Sequence, residues 1–192
     1  MTAWFVMALK SAKVCGFSVP EASMDGAIKF VDSVEAKEQA GADSYGTPSR
    51  YKYMVNQDHM DSAHRLTAIG TLVRQFTGVR SEQLQATTEW FVNKGGVPSY
   101  GANGESVDLY YWYYASLACY QQNKVQPELW KRWCEAMKTA IVDNQAKVGD
   151  DRGSWNPVGA YSGEWGRVGQ TALNALCLEV WYRYRVMDGG AH

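Results

Sequence analysis

The chain has 192 residues, 46% of them apolar and 20% charged, which suits one folded domain, 1–192, and excludes disorder as its overall state. With 19 basic residues against 20 acidic ones, the net charge is −1 and neither sign runs long, so no basic stripe for nucleic acid is present. Eight Trp and twelve Tyr are many, and rings with a polar tip favour a lined core or a concave binding surface.

The apolar period predicts seven helices. The first runs from Thr2 to Val14 and is stopped by Gly16. Its start, MTAWFVMALKSAK, has no positive residues ahead of the apolar stretch and no cleavage site, so it reads as a helix and not as a signal peptide. The second follows Pro20, with Glu21 in its first turn, and extends to about Ala36. Lys37 to His59 is polar, carries Gly41, Gly46 and Pro48, and reads as loop. The third helix spans about Asp61 to Phe76, before Gly78. The fourth starts at the N-cap Ser81 and stops near Asn93, ahead of Gly95-Gly96. The fifth begins at Ser106 or Asp108 and reaches Gln122. The sixth is expected over Pro127 to Lys147, and the seventh over Arg167 to Met187. None of the apolar stretches reaches the roughly 20 residues of a membrane span.

The helices alternate in kind. The first, third, fifth and seventh are apolar around nearly their whole circumference, as in DLYYWYYASLACY, and are expected to be buried on all sides. The second, fourth and sixth carry polar faces. Gly-aromatic elements precede the later apolar helices: Ser44-Tyr45-Gly46, Ser99-Tyr100-Gly101 and Gly153-Ser154-Trp155. Repetition of this kind points to a solenoid or closed ring, because one hairpin cannot cover its own apolar face. The fold expected is all-α, built of repeated helical hairpins. The four cysteines, Cys15, Cys119, Cys134 and Cys177, are scattered in apolar patterns and read as core thiols, with disulfides or a metal cluster as the competing readings.

Gln145 with Gly153-Ser154-Trp155 resembles the Gln-Trp repeat of squalene and terpenoid cyclases with a few residues inserted, and QTALNALCLEVWYRY resembles the last inner helices of that superfamily. From Thr2 to about Tyr184 the chain is similar to bacterial prenyltransferase and squalene-oxidase repeat proteins. The resemblance implies an α/α toroid. Three hairpins and one further inner helix would make a partial ring, roughly half of the complete one.

The chemistries of that superfamily can be checked residue by residue. The Asp-x-Asp-Asp acid motif of the cyclases has no counterpart beyond Asp150-Asp151, a charge pair in a polar loop. Zinc in protein prenyltransferases is held by an Asp, a Cys two residues later and a distant His. By position Asp108 matches, but Tyr110 stands for the Cys and Gln170 for the His, so no metal or other cofactor is expected. His59 and His64 flank a helix start and His192 is terminal. No Gly-Cys-Gly-Glu-Gln thioester run, GxSxG, P-loop or HExxH occurs.

In that fold helix starts line one mouth of the ring. Asp61, Asp108, Arg167 and Gln170 would converge there, walled by Tyr110, Trp112, Trp155 and Trp165, as a small-molecule site. The competing reading makes Asp108 a helix cap, pairs Arg167 with Glu164 and turns the rings into core filling. Three functions compete in turn: a non-catalytic domain binding a protein partner or an apolar, isoprenoid-like ligand; a divergent isoprenoid-processing enzyme; and a structural interaction module. Leu173, Leu176, Leu178, Val180 and Trp181 exceed what the sixth helix can cover, which predicts a homodimer, or contact with a larger parent protein, through the first and seventh helices. The compartment stays open, cytoplasmic if the chain is complete.

Overall fold

A computed structural model describes residues 2–36, 48–56, 63–79 and 82–183. Ser44-Tyr45-Gly46, His59, Asp61, Ser81, His192 and the expected end of the seventh helix at Met187 lie outside the described residues. The fold is all-α, with eight helices among the described residues: α1 (Thr2–Val14), α2 (Glu21–Val34), α3 (Ala63–Phe76), α4 (Glu82–Gly95), α5 (Leu109–Gln121), α6 (Pro127–Val142), α7 (Ser162–Leu178) and α8 (Val180–Arg183). The described residues divide into two compact units, one up to Lys94 and the other from Gly95 to Arg183.

In the first unit glycine ends α1 and α3 as expected. Gly16, at φ 83°, closes α1 with Phe17 N–H donating to Ala12 O and Gly16 N–H to Lys13 O. Gly78, at φ 89°, repeats the pattern on α3 through Val79 to Arg74 and Gly78 to Gln75. Both are Schellman closures, which need the left-handed residue that glycine adopts without a Cβ clash. In this unit α1 packs on α3, and α2 touches both.

The segment after α2 is pinned to α3. Ala36 N–H donates to Arg50 O and Lys52 N–H to Val34 O, forming an isolated antiparallel bridge between Glu35 and Tyr51. The Tyr51 ring lies on Gly70, where an added Cβ would come within 2.5–2.6 Å of it. Arg74 of α3 pairs with Asp32 at 2.5 Å and Glu35 at 2.8 Å, while the Ser49 hydroxyl donates to Glu35. Ser49 N–H meets the Thr87 hydroxyl, and the Arg50 guanidinium lies over the Trp90 ring, so α4 is held through the same segment.

In the second unit α5 is central, packed by α6, α7 and α8. Eleven of its thirteen residues are buried, from Leu109 to Gln121. The expectation of burial on all sides holds for this helix. It does not hold for α1, which buries Ala3, Val6 and Met7 and leaves Trp4 and Phe5 exposed. Nor does it hold for α7, whose buried residues are Gln170, Asn174 and Cys177, with Leu173, Leu176 and Leu178 only half-buried. An apolar circumference is covered only where neighbours surround the helix, as α6, α7 and α8 surround α5.

Two boundaries differ from expectation. The sixth helix ends at Val142, five residues before Lys147, because other groups take its last carbonyls. Asn144 Nδ2 donates to Ala140 O, Trp155 Nε1 to Ile141 O and Lys147 Nζ to Val142 O. The seventh begins at Ser162, breaks at Gly166 (φ 57°, ψ −165°), runs to Leu178 and continues as α8 after a turn at Glu179.

Candidate functional site

The site expected from sequence is built at the start of α5, the loop after α6 and the start of α7. Asp108 is the N-cap of α5: its Oδ1 accepts from Tyr111 N–H at 3.0 Å, and its own carbonyl receives Trp112 N–H. A cap of this kind stabilises a helix by about 1 kcal/mol. Behind it, Tyr111 donates its hydroxyl to Gly96 O at 3.1 Å and meets Trp133 edge-on at 5.6 Å. Trp133, fully buried, donates its indole N–H to Ser116 Oγ at 2.8 Å. Trp112 is 2% exposed, a core position and not a wall.

The loop after α6 is a compact clamp. Ala146 and the Gly153-Ser154 pair exchange main-chain hydrogen bonds, and Gln145 Nε2 donates to Gly153 O at 2.9 Å. Trp155 is 4% exposed and anchored to Ile141 O. Arg167 of α7 reaches back into the loop, donating to Ser154 Oγ and Asn156 Oδ1 and pairing with Asp151 at 3.0 Å. The expected partner Glu164 is not the one it takes. The next loop residues lie against the entry to α5, with Ala160 N–H donating to Val107 O. Gln170 Nε2 donates to Val158 O at 3.1 Å, while its Oε1 is buried without a hydrogen-bond partner among the described residues.

The start of α7 carries an aromatic cluster. Tyr161 and Trp165 stack at 5.1 Å with 27° between their planes. Tyr110 meets Tyr161 at 6.2 Å, Trp165 at 6.4 Å and Tyr114 at 5.0 Å. Tyr161 is 43% exposed, whereas Tyr110 and Trp165 are half-buried. Burial pushes the Tyr114 phenol well above the ordinary range, so it stays protonated beneath the cluster.

Of the eight residues expected to share a mouth, seven are described, and the structure groups Tyr110 with Trp165, and Trp155 with Arg167 in the clamp. Asp108 caps, Gln170 holds the 158 carbonyl and Trp112 fills the core. Tyr161 was missed. Its signal in the sequence is only a tyrosine in a Gly-rich loop, since nothing local announces that its φ is +63°.

The cluster offers ring faces, an indole N–H and phenol hydroxyls, which suit binding an apolar or amphipathic group. Burial raises both the Cys119 and Cys177 thiols, so neither is a thiolate nucleophile near neutral pH. Among the described residues there is no group of three or more His, Cys, Asp or Glu placed to hold a metal ion. No described helix is long and apolar enough to cross a membrane. No protein-family model, characterised protein or solved structure matches the chain.

Proposed function

We propose that this chain is a non-catalytic helical-repeat domain that binds a protein partner or an apolar, isoprenoid-like ligand through the aromatic cluster at the start of α5 and α7. The observation that carries this reading is the grouping of Tyr110, Tyr161 and Trp165, with Tyr161 exposed and the other two half-buried. Rings grouped at a surface, unlike rings exposed singly, mark an interaction site. The likeness of the chain to a partial α/α toroid of the squalene cyclase and prenyltransferase kind belongs to the same proposal. On that architecture the positions of two zinc ligands hold Tyr110 and Gln170. The first is spent on ring packing and the second on the Val158 carbonyl.

The test is native mass spectrometry of the purified chain together with tryptophan-fluorescence titration. Co-purified lipid, or a titratable change that Trp165→Ala removes, is the expected result. A ligand-free chain whose fluorescence responds to no isoprenoid, peptide or partner overturns the reading.

Self-association, or contact with a larger parent protein, through the first and seventh helices is a further part of the proposal. Trp4 and Phe5 on α1 are 40% and 63% exposed, and Trp181 and Tyr182 beyond α7 are 39% and 68% exposed. Sedimentation that gives a monomer at every concentration, unchanged by Phe5→Lys, overturns the self-association arm.

A further inference from the structure

Two backbone departures bracket the turn that carries the cluster. Tyr161 lies in the left-handed region at φ 63°, ψ 11°, and Gly166 adopts φ 57°, ψ −165°, a region open essentially to glycine alone. The turn between them stacks the exposed Tyr161 on the half-buried Trp165. Gly169 completes the arrangement. A Cβ there would come within 2.6 Å of Trp165 Cβ and 3.3 Å of its Cγ, so only a bare backbone leaves Trp165 this room on α7. Strain held in place to present rings, where folding alone would favour covering them, marks a surface kept for a partner.

The polar chemistry of the turn narrows the partner. The Trp165 indole N–H has no hydrogen-bond partner among the described residues, so the platform offers a donor beside its ring faces. An isoprenoid chain has no acceptor for it. A proline-rich segment in the extended left-handed helix has the complementary set: flat pyrrolidine rings, no N–H on its prolines, and carbonyls left unbonded by its own backbone. Glu164, on the same turn, is exposed and has no ion-pair partner among the described residues. It would meet a basic residue flanking the prolines.

We propose that Tyr110, Tyr161 and Trp165 dock an extended proline-rich segment with a flanking Arg or Lys, supplied by a partner protein. This rests on the reading of the chain as a binding domain and names the partner class of that same site. The probe is a fluorescent peptide of consecutive prolines ending in arginine, titrated by anisotropy against the whole chain. Trp165→Phe keeps a ring and removes the donor, and Glu164→Lys reverses an exposed charge; each weakens binding about fivefold. Added salt weakens the wild type and spares Glu164→Lys. Equal binding by the wild type and both variants puts the peptide elsewhere and overturns the inference. A chain that ignores the peptide yet binds an isoprenoid alcohol overturns it too, leaving the binding-domain reading intact. A chain that binds neither overturns the inference, and one that native mass spectrometry also finds free of lipid and partner overturns the binding-domain reading as well.

Discussion

The indole N–H of Trp155 donates to the main-chain carbonyl of Ile141 across 2.7 Å, so a loop aromatic closes the last turn of α6. Trp155 is 4% exposed, which leaves no water to replace that bond. Helix end, loop and the following helix are therefore one mechanical unit, with Arg167 completing it from α7.

Trp155→Phe keeps most of the ring and orphans the Ile141 carbonyl, at a cost of about 1–3 kcal/mol. Trp155→Ala adds a cavity and raises the cost to about 3–5 kcal/mol. Gln145→Ala removes an exposed bond to Gly153 and costs about 0.5–1.5 kcal/mol. Urea titrations followed by circular dichroism check the order, and a Gln145 variant as damaging as Trp155→Ala contradicts it.

Gly159 and Gly153 separate two kinds of glycine requirement. Both have positive φ, 77° and 85°. A Cβ on Gly159 would run into the Val107 carbonyl oxygen, whereas one on Gly153 meets nothing within 4 Å. Gly153→Ala therefore bears only the left-handed cost of about 1–2 kcal/mol. Gly159→Ala adds a clash with backbone that cannot rotate away, about 1–3 kcal/mol more. Thermal melts of the two variants should differ in that direction.

The four thiols should react in sequence. Cys15 is exposed, Cys134 is half-buried, and Cys119 and Cys177 are buried in the α5–α7 region. An aromatic disulfide reagent at neutral pH should titrate Cys15 at once, Cys134 slowly, and the other two only in denaturant. Fast reaction of Cys177 in the native chain would contradict the packing of α7.

Stability should fall in alkali. Burial raises the Cys119 and Cys177 thiols, and also the Tyr51, Tyr111 and Tyr114 phenols. Each is neutral when protonated, and the folded chain holds its proton more tightly than the unfolded one. The stabilisation is complete below the unfolded pKa and is lost as pH rises, first above about 8.5 for the thiols and then above about 10 for the phenols. The slope is about 1.4 kcal/mol per pH unit for each group titrating only in the unfolded state. Urea midpoints measured from neutral pH upward should decline, and Cys177→Ala should make the first part of the decline shallower.

Much of the helical layout was legible because its signals are local. Gly16 and Gly78 end α1 and α3, Pro127 opens α6, and Asp108 caps α5. Each acts on backbone within one turn of itself, so neighbouring residues suffice to read it. Gly153-Ser154-Trp155 was legible as a Gly-aromatic element, but the bonds that Gln145 and Trp155 make there, to Gly153 and Ile141, were not. The early end of α6 depends on a tryptophan thirteen residues beyond Val142, and no periodicity within the helix encodes that competition.

The sequence by itself determined an all-α chain, the starts and stops of most of its helices, and a wealth of aromatic rings with no run of charge. Only the tertiary structure decided which apolar faces are covered. It buried α5 among three helices, left Trp4 and Phe5 on α1 in solvent, and spread the seven candidate residues among a cap, a clamp, the core and a cluster. It also placed Tyr161, at an unfavourable φ, against Trp165 and Tyr110. Local propensity is set by near neighbours along the chain, whereas burial and convergence are set by neighbours in space, which no single stretch of sequence names.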